Sequence, residues 1–203
     1  ELAGMLPEVN DWFGVNRPAE IISRLGLAYH PELTGERVLT GPRHFAYLKI
    51  SEGCDRTCAF CAIPDIRGRY ISTPLEDLVA ETEFLSSRGV RELILIAQDL
   101  TLYGLDLYGR QMLPELVRRL SAVEDIEWIR LHYLYPADFP REILEMMQSD
   151  PKICRYIDIP IQHISDPVLK KMKRSHGSAE TRALLHDIRI KVPDAAIRTT
   201  VIA

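Results

Sequence analysis

The segment 52-EGCDRTCAFCAIPDIRG-68 contains three cysteines, Cys54, Cys58 and Cys61, in the spacing C-x3-C-x2-C. Thiolates this close in sequence can bind one soft metal centre, but three of them leave a tetrahedral site or a four-iron cluster one ligand short. An open coordination position is where a metal centre binds and activates a substrate, whereas a closed site stabilises a fold. The segment therefore predicts a reactive metal site.

Two other kinds of metal site are compatible with three clustered cysteines. A structural zinc site would take Cys154 or a histidine as its fourth ligand, although such sites usually pair two close ligands with two distant ones. A ferredoxin-like electron carrier uses the spacing C-x2-C-x2-C-x3-C, which this segment does not match. The pattern favours an open iron–sulfur site over both.

The composition is that of an ordinary globular domain. Of the 203 residues, 46% are hydrophobic and 27% charged, and the net charge is −4. This is enough chain for one sizeable core, and the mild acidity gives no reason to expect a nucleic-acid binder. Four cysteines, three of them clustered, argue against a disulfide framework and predict a reducing, cytoplasmic location. No apolar run is long enough to span a membrane.

Apolar segments that alternate with helical patterns predict the fold. Strands are expected at 45–50, 93–97, 128–131, 157–161 and 195–202, and helices at 74–88, 113–120, 140–148, 167–173 and 179–191. The first of these helices has a clear start signal, because Thr73 can cap it, Pro74 suits its first position and Glu76 completes a capping box. The strand at 93–97 is apolar throughout, which is typical of burial on both faces.

This alternation predicts an α/β fold, a partial (β/α) barrel with parallel strands and outer helices. No Gly-rich phosphate fingerprint follows the first strand, which disfavours a dinucleotide-binding Rossmann fold. We expect residues 42–203 to form this core, incomplete at its C-terminal end, after the turn signal Gly41-Pro42. Residues 1–41 are expected to be the remnant of a preceding domain and a linker. The missing initial methionine and the final strand suggest a fragment of a longer protein.

Polar side chains follow three of the predicted strands. Gln98 and Asp99 come after the second strand, His132 after the third, and Gln162 and His163 after the fourth. Because the carboxyl ends of parallel strands meet at one edge of a barrel, these residues should gather with the cysteine loop at one mouth. The alternative for Gln98 and Asp99 is a cap of the following turn, and for His132 a hydrogen bond in the core.

The sequence resembles the radical S-adenosylmethionine (SAM) superfamily, in which C-x3-C-x2-C carries an aromatic residue before the third cysteine, here Phe60. The residues around the cysteines, 50–54 and 60–68, are similar to those of the methylthiotransferases. Segments 97–104, 131–136 and 158–163 resemble the RimO branch, which methylthiolates an aspartate of ribosomal protein uS12. The likeness spans about 43–203. The tRNA-modifying branch is similar around the cysteines but less similar after the third and fourth strands.

This resemblance implies two cofactors. Cys54, Cys58 and Cys61 would bind three irons of a [4Fe–4S] cluster, and the fourth iron would bind SAM through its amino and carboxylate groups. A radical derived from SAM would then take hydrogen from the β-carbon of the target aspartate. An electron donor such as flavodoxin or ferredoxin is implied as a partner. The family's second cluster needs three more cysteines; since only Cys154 remains, it is expected only in the full-length protein.

The resemblance also places other residues near SAM. Phe60 and Ile63 would pack on its adenine, although ordinary loop packing would serve as well. Arg174 would meet its carboxylate, because a guanidinium pairs well with a carboxylate. The alternative for Arg174 is a solvated cation at the end of a helix, one of a run with Lys170, Lys171 and Lys173. Among the residues that follow the strands, Gln98, Asp99, Gln162 and His163 are also expected to bind the cofactor. No residue is assigned a catalytic role.

Three functions remain in view from the sequence. The first is the radical-generating core of a uS12 methylthiotransferase, which alone should not complete methylthiolation. The second shares the chemistry but modifies a tRNA adenosine, and the net charge of −4 weighs mildly against it. The third, from another class, is a non-catalytic iron–sulfur or zinc-binding module.

Overall fold

The computed structural model describes residues 2–15, 17–30 and 37–202. The chain divides into two compact units, Glu1–Thr34 and Gly35–Ala203. The first unit contains two short helices, α1 (Leu2–Met5) and α2 (Pro18–Arg24). Pro18 suits the start of α2, since its missing N–H has no helical partner there. The domain division expected at residue 41 stays a prediction.

The second unit alternates strands and helices along the chain. Its elements are β1 (Phe45–Lys49), β2 (Ser51–Glu52), α3 (Ile63–Arg67), β3 (Ile71–Ser72), α4 (Leu75–Ser87), β4 (Glu92–Ile96), α5 (Leu105–Tyr108), α6 (Leu113–Ser121), β5 (Trp128–Leu131), α7 (Glu142–Ser149), β6 (Ile153–Asp158), α8 (Asp166–Lys171), α9 (Ser178–Lys191) and β7 (Ala196–Arg198). A 3-10 turn, Leu100–Leu102, follows β4.

The described residues form a five-stranded sheet in the order β1-β4-β5-β6-β7, and each neighbouring pair is parallel. Apart from the short antiparallel pair β2–β3, the spatial order follows the chain order, with helices between successive strands. This is the arrangement of a barrel wall, in which each crossover returns to the next position. The predicted parallel α/β fold is confirmed.

The core lies between the sheet and its helices. Alternate strand residues are fully buried there, among them Leu48, Leu93, Leu95, Ile129 and Leu131. Strand β4 is not buried on both faces as its composition predicts, because Ile94 and Ile96 are only half-buried. Ile96 lines an open cavity on the other face of the sheet. Among the described residues, no helix has the length and apolar character needed to cross a bilayer.

Several of the predicted element boundaries are wrong, and the last strand, β7, covers only Ala196–Arg198 instead of 195–202. Strand β6 occupies Ile153–Asp158, not 157–161, because Ile153 and Ile157 pair with β5 and Pro160 has no N–H to donate to a ladder. The capping box at Thr73 does not form, and α4 has no side-chain cap. Instead, the Leu75 N–H donates to the hydroxyl of Tyr108 over 3.0 Å, so a distant tyrosine satisfies the first turn.

Candidate metal and cofactor site

The cysteine loop lies between β2 and α3, at the carboxyl edge of the sheet. Its side chains reach segments that follow two other strands: Arg56 donates from Nε to Asp99 Oδ2 over 2.9 Å and from Nη1 to Asp138 Oδ2 over 3.1 Å. Asp99 follows β4 and Asp138 follows β5. The structure thus brings together the loop and two strand ends, as the barrel geometry predicts.

The three cysteines of this loop differ in exposure. Cys54 is buried, Cys58 is half-buried and Cys61 is exposed, and all three are free thiols. Burial raises the pKa of the Cys54 thiol, and the nearby Asp99 carboxylate adds to this, so the uncomplexed group stays protonated at neutral pH. The main chain is fixed at the start of the loop, where the Cys54 N–H donates to the carbonyl of Gly68 over 3.2 Å.

The donor set of the loop fits an iron–sulfur cluster, although its side chains do not converge in this conformation. Within the described ranges, no three His, Cys, Asp or Glu side chains form a group that could hold a metal ion. The chemistry nevertheless suits iron, since three thiols are the ligands that such clusters take. N–H groups also approach two of the sulfurs: Arg56 N lies 3.4 Å from Cys54 Sγ, and Arg174 Nη1 lies 3.5 Å from Cys58 Sγ. Such donors tune cluster ligands in proteins.

Gln98 and Asp99 take different environments although they are neighbours. Gln98 donates from Nε2 to Glu52 over 3.2 Å, while its buried Oε1 has no hydrogen-bond partner among the described residues. An orphaned buried acceptor is rare, and an ammonium group would satisfy it. Asp99 is 1% exposed, accepts from Arg56, and caps the following turn through the Thr101 N–H over 2.9 Å. A direct contact of Asp99 with a cofactor stays a prediction.

Arg174 lies next to the cysteine loop. Besides Cys58, it reaches the carbonyl of Pro160 from Nη2 over 2.6 Å, and its Nε donates to Nε2 of His176 over 3.2 Å. Burial lowers the pKa of His176 to about 4, with a further contribution from the Arg174 charge, so this imidazole is neutral and accepts the bond. His176 therefore fixes the direction of the guanidinium beside the thiols.

The other predicted cofactor residues differ in their burial and hydrogen bonds. Gln162 has a φ of 66° and is buried, and its main chain pairs with residues 200–202. His163 accepts the Ser165 N–H at Nδ1 over 2.9 Å, which orients its ring locally. Phe60 is half-exposed at 49%, and Ile63 is half-buried at the start of α3. Contacts of these side chains with SAM stay predictions.

A cavity of about 590 Å³ opens on the face of the sheet opposite the core. Aromatic, amide and cationic side chains line it: Tyr47, Lys49, Ile96, Ala97, Gln98, His132, Tyr133, Tyr156 and Arg198. Two of its cations are paired, Lys49 with Glu52 over 2.5 Å and Arg198 with Asp158 over 2.9 Å. Burial lowers the pKa of His132, and although the Asp158 carboxylate opposes this shift, the net change favours the neutral ring. Gln98, whose Oε1 lacks a hydrogen-bond partner among the described residues, is one of the residues that line this cavity.

Sequence reasoning missed three residues of the site. The sequence alone assigns no role to Arg56, which lies between two of the cysteines, to Tyr135, which lies in the segment 131–136, or to His176. Both arginines lie over the ring of Tyr135, Arg56 at 4.0 Å and Arg174 at 4.1 Å from its centroid. Position within the cysteine loop was an available signal for Arg56. No sequence pattern marks Tyr135 or His176, because their partners are set by tertiary packing.

Comparison of the sequence with known proteins shows which proteins the chain is similar to. The chain is 55% identical over 202 residues to the ribosomal protein uS12 methylthiotransferase RimO of Flavobacterium johnsoniae. The aligned region is 100% of this chain and 46% of that protein. The RimO of Porphyromonas gingivalis is 52% identical over 200 residues, with 98% and 46% covered. The chain thus spans about half the length of the curated relatives it matches.

Solved structures with a similar fold are radical SAM enzymes. The cobalamin-dependent enzyme OxsB, with aqua-cobalamin and SAM bound, aligns with a TM-score of 0.59 at 14% identity over 79% of this chain and 24% of that one. The methyltransferase TsrM from Kitasatospora setae, with cobalamin and a [4Fe-4S] cluster bound, aligns with a TM-score of 0.57 at 21% identity. This alignment covers 77% of this chain and 30% of that one. These likenesses concern the fold. Residues 48–203 match the radical SAM superfamily, and the chain therefore belongs to that superfamily.

Proposed function

We propose that this chain is the SAM-cleaving core of a methylthiotransferase that modifies an aspartate of ribosomal protein uS12. The observation that carries the proposal is the loop of three free thiols at the carboxyl edge of a parallel sheet, beside Arg174 and the orphaned amide oxygen of Gln98. The similarity along the whole chain to proteins named uS12 methylthiotransferase supports the substrate. Acting on a ribosomal protein would place the reaction in the cytoplasm.

Cys54, Cys58 and Cys61 would hold the [4Fe–4S] cluster as thiolates. Metal binding must then displace the proton from Cys54, whose pKa burial raises, so binding should release protons and strengthen as pH rises. When bound, the cluster and SAM supply the carbon-centred radical that an unactivated C–H bond requires.

The protein's own contribution is to bind and orient SAM. The amide oxygen of Gln98 would accept a hydrogen bond from the SAM ammonium, which would give this buried acceptor the partner it lacks. Arg174, directed by His176 and the Pro160 carbonyl, would pair with the SAM carboxylate. Phe60 and Ile63 would pack on the adenine of SAM. Gln162 and His163, in the segment that follows β6, would make further contacts with SAM.

The cavity beside Gln98 would receive the substrate side chain. Its walls carry Lys49 and Arg198, so an acidic side chain would meet cations there, although each is already paired with a carboxylate. Sulfur insertion would need the second cluster of the full-length protein, because only Cys154 lies outside the cysteine loop in this chain. Electrons would come from a donor such as flavodoxin or ferredoxin.

Two assays test this function. Under anaerobic reduction the reconstituted chain should convert SAM to 5′-deoxyadenosine without forming methylthiolated product, and Gln98→Leu should weaken SAM binding about tenfold or more, as expected for loss of one buried hydrogen bond. A matched control is Gln148→Leu, in the exposed part of α7.

The full-length enzyme, given uS12 and tRNA separately, should modify uS12. Modification of tRNA alone, or methylthiolated product from this chain alone, would contradict the proposal.

A further inference from the structure

Arg56 makes more tertiary contacts than its place in a surface loop would require. Its side chain is only 14% exposed. The guanidinium donates to Asp99 and Asp138, and it lies 3.4 Å from the hydroxyl oxygens of both Thr101 and Ser175. These four partners belong to three segments that follow β4, β5 and α8. One side chain of the cysteine loop therefore joins the loop to three other parts of the mouth.

The aromatic partner of Arg56 is shared with Arg174. Tyr135 is 5% exposed, and the two guanidinium groups lie 4.0 and 4.1 Å from the centroid of its ring. Two cations so close together repel each other, and the carboxylates of Asp99 and Asp138 offset that repulsion on the Arg56 side. A planar guanidinium can stack on a ring and donate in its plane at once, which an ammonium cannot do.

The main chain of the loop is fixed on either side of Arg56. The Cys54 N–H donates to Gly68, and the Ala59 N–H donates to the Met172 carbonyl over 2.9 Å. Arg56 lies between these two points, and its side chain is directed away from solvent into the mouth. The Arg56 contacts therefore constrain the part of the loop that carries Cys54 and Cys58.

We propose that Arg56 is a positioning residue, whose guanidinium, set between Asp99 and the ring of Tyr135, holds Cys54 and Cys58 of the cysteine loop at the carboxyl edge of the sheet. Asp99 acts through this pair. Only the purpose of these contacts, presenting thiols to a cluster, rests on the function proposed above.

The test is the alkylation rate of individual thiols in the metal-free chain, read by mass spectrometry. Arg56→Lys keeps the positive charge but loses the planar guanidinium that donates to two carboxylates and stacks on the ring of Tyr135. Labelling of buried Cys54 should therefore accelerate about tenfold or more, because a charged hydrogen bond no longer opposes local opening of the loop. Labelling of exposed Cys61 should stay unchanged. Asp99→Asn should act in the same direction through the same bond.

A matched control is Arg88→Lys, because Arg88 lies 5.0 Å over the ring of Phe84, away from the cysteine loop. Equal Cys54 labelling in Arg56→Lys and Arg88→Lys would overturn the proposal. Labelling of half-buried Cys154 reports general stability, and an equal acceleration at Cys54 and Cys154 would also overturn it. Since iron is absent, the result is independent of whether reconstitution yields a cluster, and so of the proposed function.

Discussion

The sheet with its helices and the cysteine loop are stabilised by different forces. In the sheet, side chains such as Leu48, Leu93 and Leu95 are fully buried and contribute through their apolar area. In the loop, exposed residues such as Asp55 and Cys61 outnumber buried ones, and polar contacts of Arg56 connect it to the rest. The fold should therefore survive changes to the loop that abolish the site, and the site should tolerate losses of stability that leave the sheet folded.

The largest expected effect is on metal binding without an effect on stability. Cys58→Ser removes one of three thiolate ligands, and the iron retained after anaerobic reconstitution should fall more than about tenfold. The urea midpoint of the metal-free chain should not change, because Cys58 is a half-buried loop residue. Cys154→Ser is the control and should retain iron. Full iron retention in Cys58→Ser would remove the loop from the metal site.

A core truncation should produce the opposite outcome. Leu95 is fully buried in β4, so Leu95→Ala should lower the free energy of unfolding by about 2–5 kcal/mol. Iron bound per folded chain should stay the same, since no cysteine ligand is altered. Urea denaturation gives the first quantity and iron analysis of the folded fraction gives the second. A proportionate loss of iron per folded chain would show that the two regions are not separable.

Gly53 lies where the two regions meet, between β2 and Cys54. Its φ is 78°, and a Cβ there would lie 2.1 Å from the backbone oxygen of Arg69, so Gly53→Ala should cost about 2–3 kcal/mol of stability. Gly109→Ala is the matched control, because Gly109 also has a positive φ of 66° but open space around its Cβ position. It should cost only about 1 kcal/mol. Equal urea midpoints for the two variants would show that the close approach is unimportant.

Acid stability should depend on His176, which links the loop contacts to α9 through Thr181. Its pKa is lowered to about 4 by burial first and by Arg174 second. An unfolded histidine has a pKa of about 6.5, so below that pH the unfolded chain binds the proton and the native chain does not. Stability should fall by about 1.4 kcal/mol per pH unit as pH drops from about 6.5 towards 4.

His176→Gln should remove this contribution while keeping a hydrogen-bonding side chain. Urea midpoints of both chains at pH 7, 6 and 5 measure the difference, and other titrating groups cancel because both chains share them. Plotted against pH, the urea midpoints of the two chains should approach each other as the pH falls. Parallel curves over this range would contradict a buried neutral imidazole.

The fold was predictable because its signals are local in sequence. Apolar runs marked β1, β4 and β5 to within a residue, since period and composition alone set them. The limits of β6 were not predictable in that way, because the register follows from pairing of Ile153 and Ile157 with β5. The missing cap of α4 has the same origin, as Tyr108 is 33 residues away.

Of the candidate site, only the three cysteines proposed as metal ligands were predictable from the sequence. Spacing of Cys54, Cys58 and Cys61 identified the loop, because one segment carries all three. The pairs of Arg56 with Asp99 and Asp138 join residues 43 and 82 positions apart, and no local pattern could indicate them. Contacts that hold a loop in place depend on how distant segments cross, which periodicity does not record.

The most direct test of the central claim is anaerobic reconstitution of this chain with iron and sulfide, followed by electron paramagnetic resonance with and without SAM. We predict about four irons per chain, as for a [4Fe–4S] cluster, and a changed spectrum of the reduced cluster when SAM is added. Zinc bound in place of iron would contradict the account. So would a cluster whose spectrum is indifferent to SAM, because the loop would then be a structural or electron-carrying site.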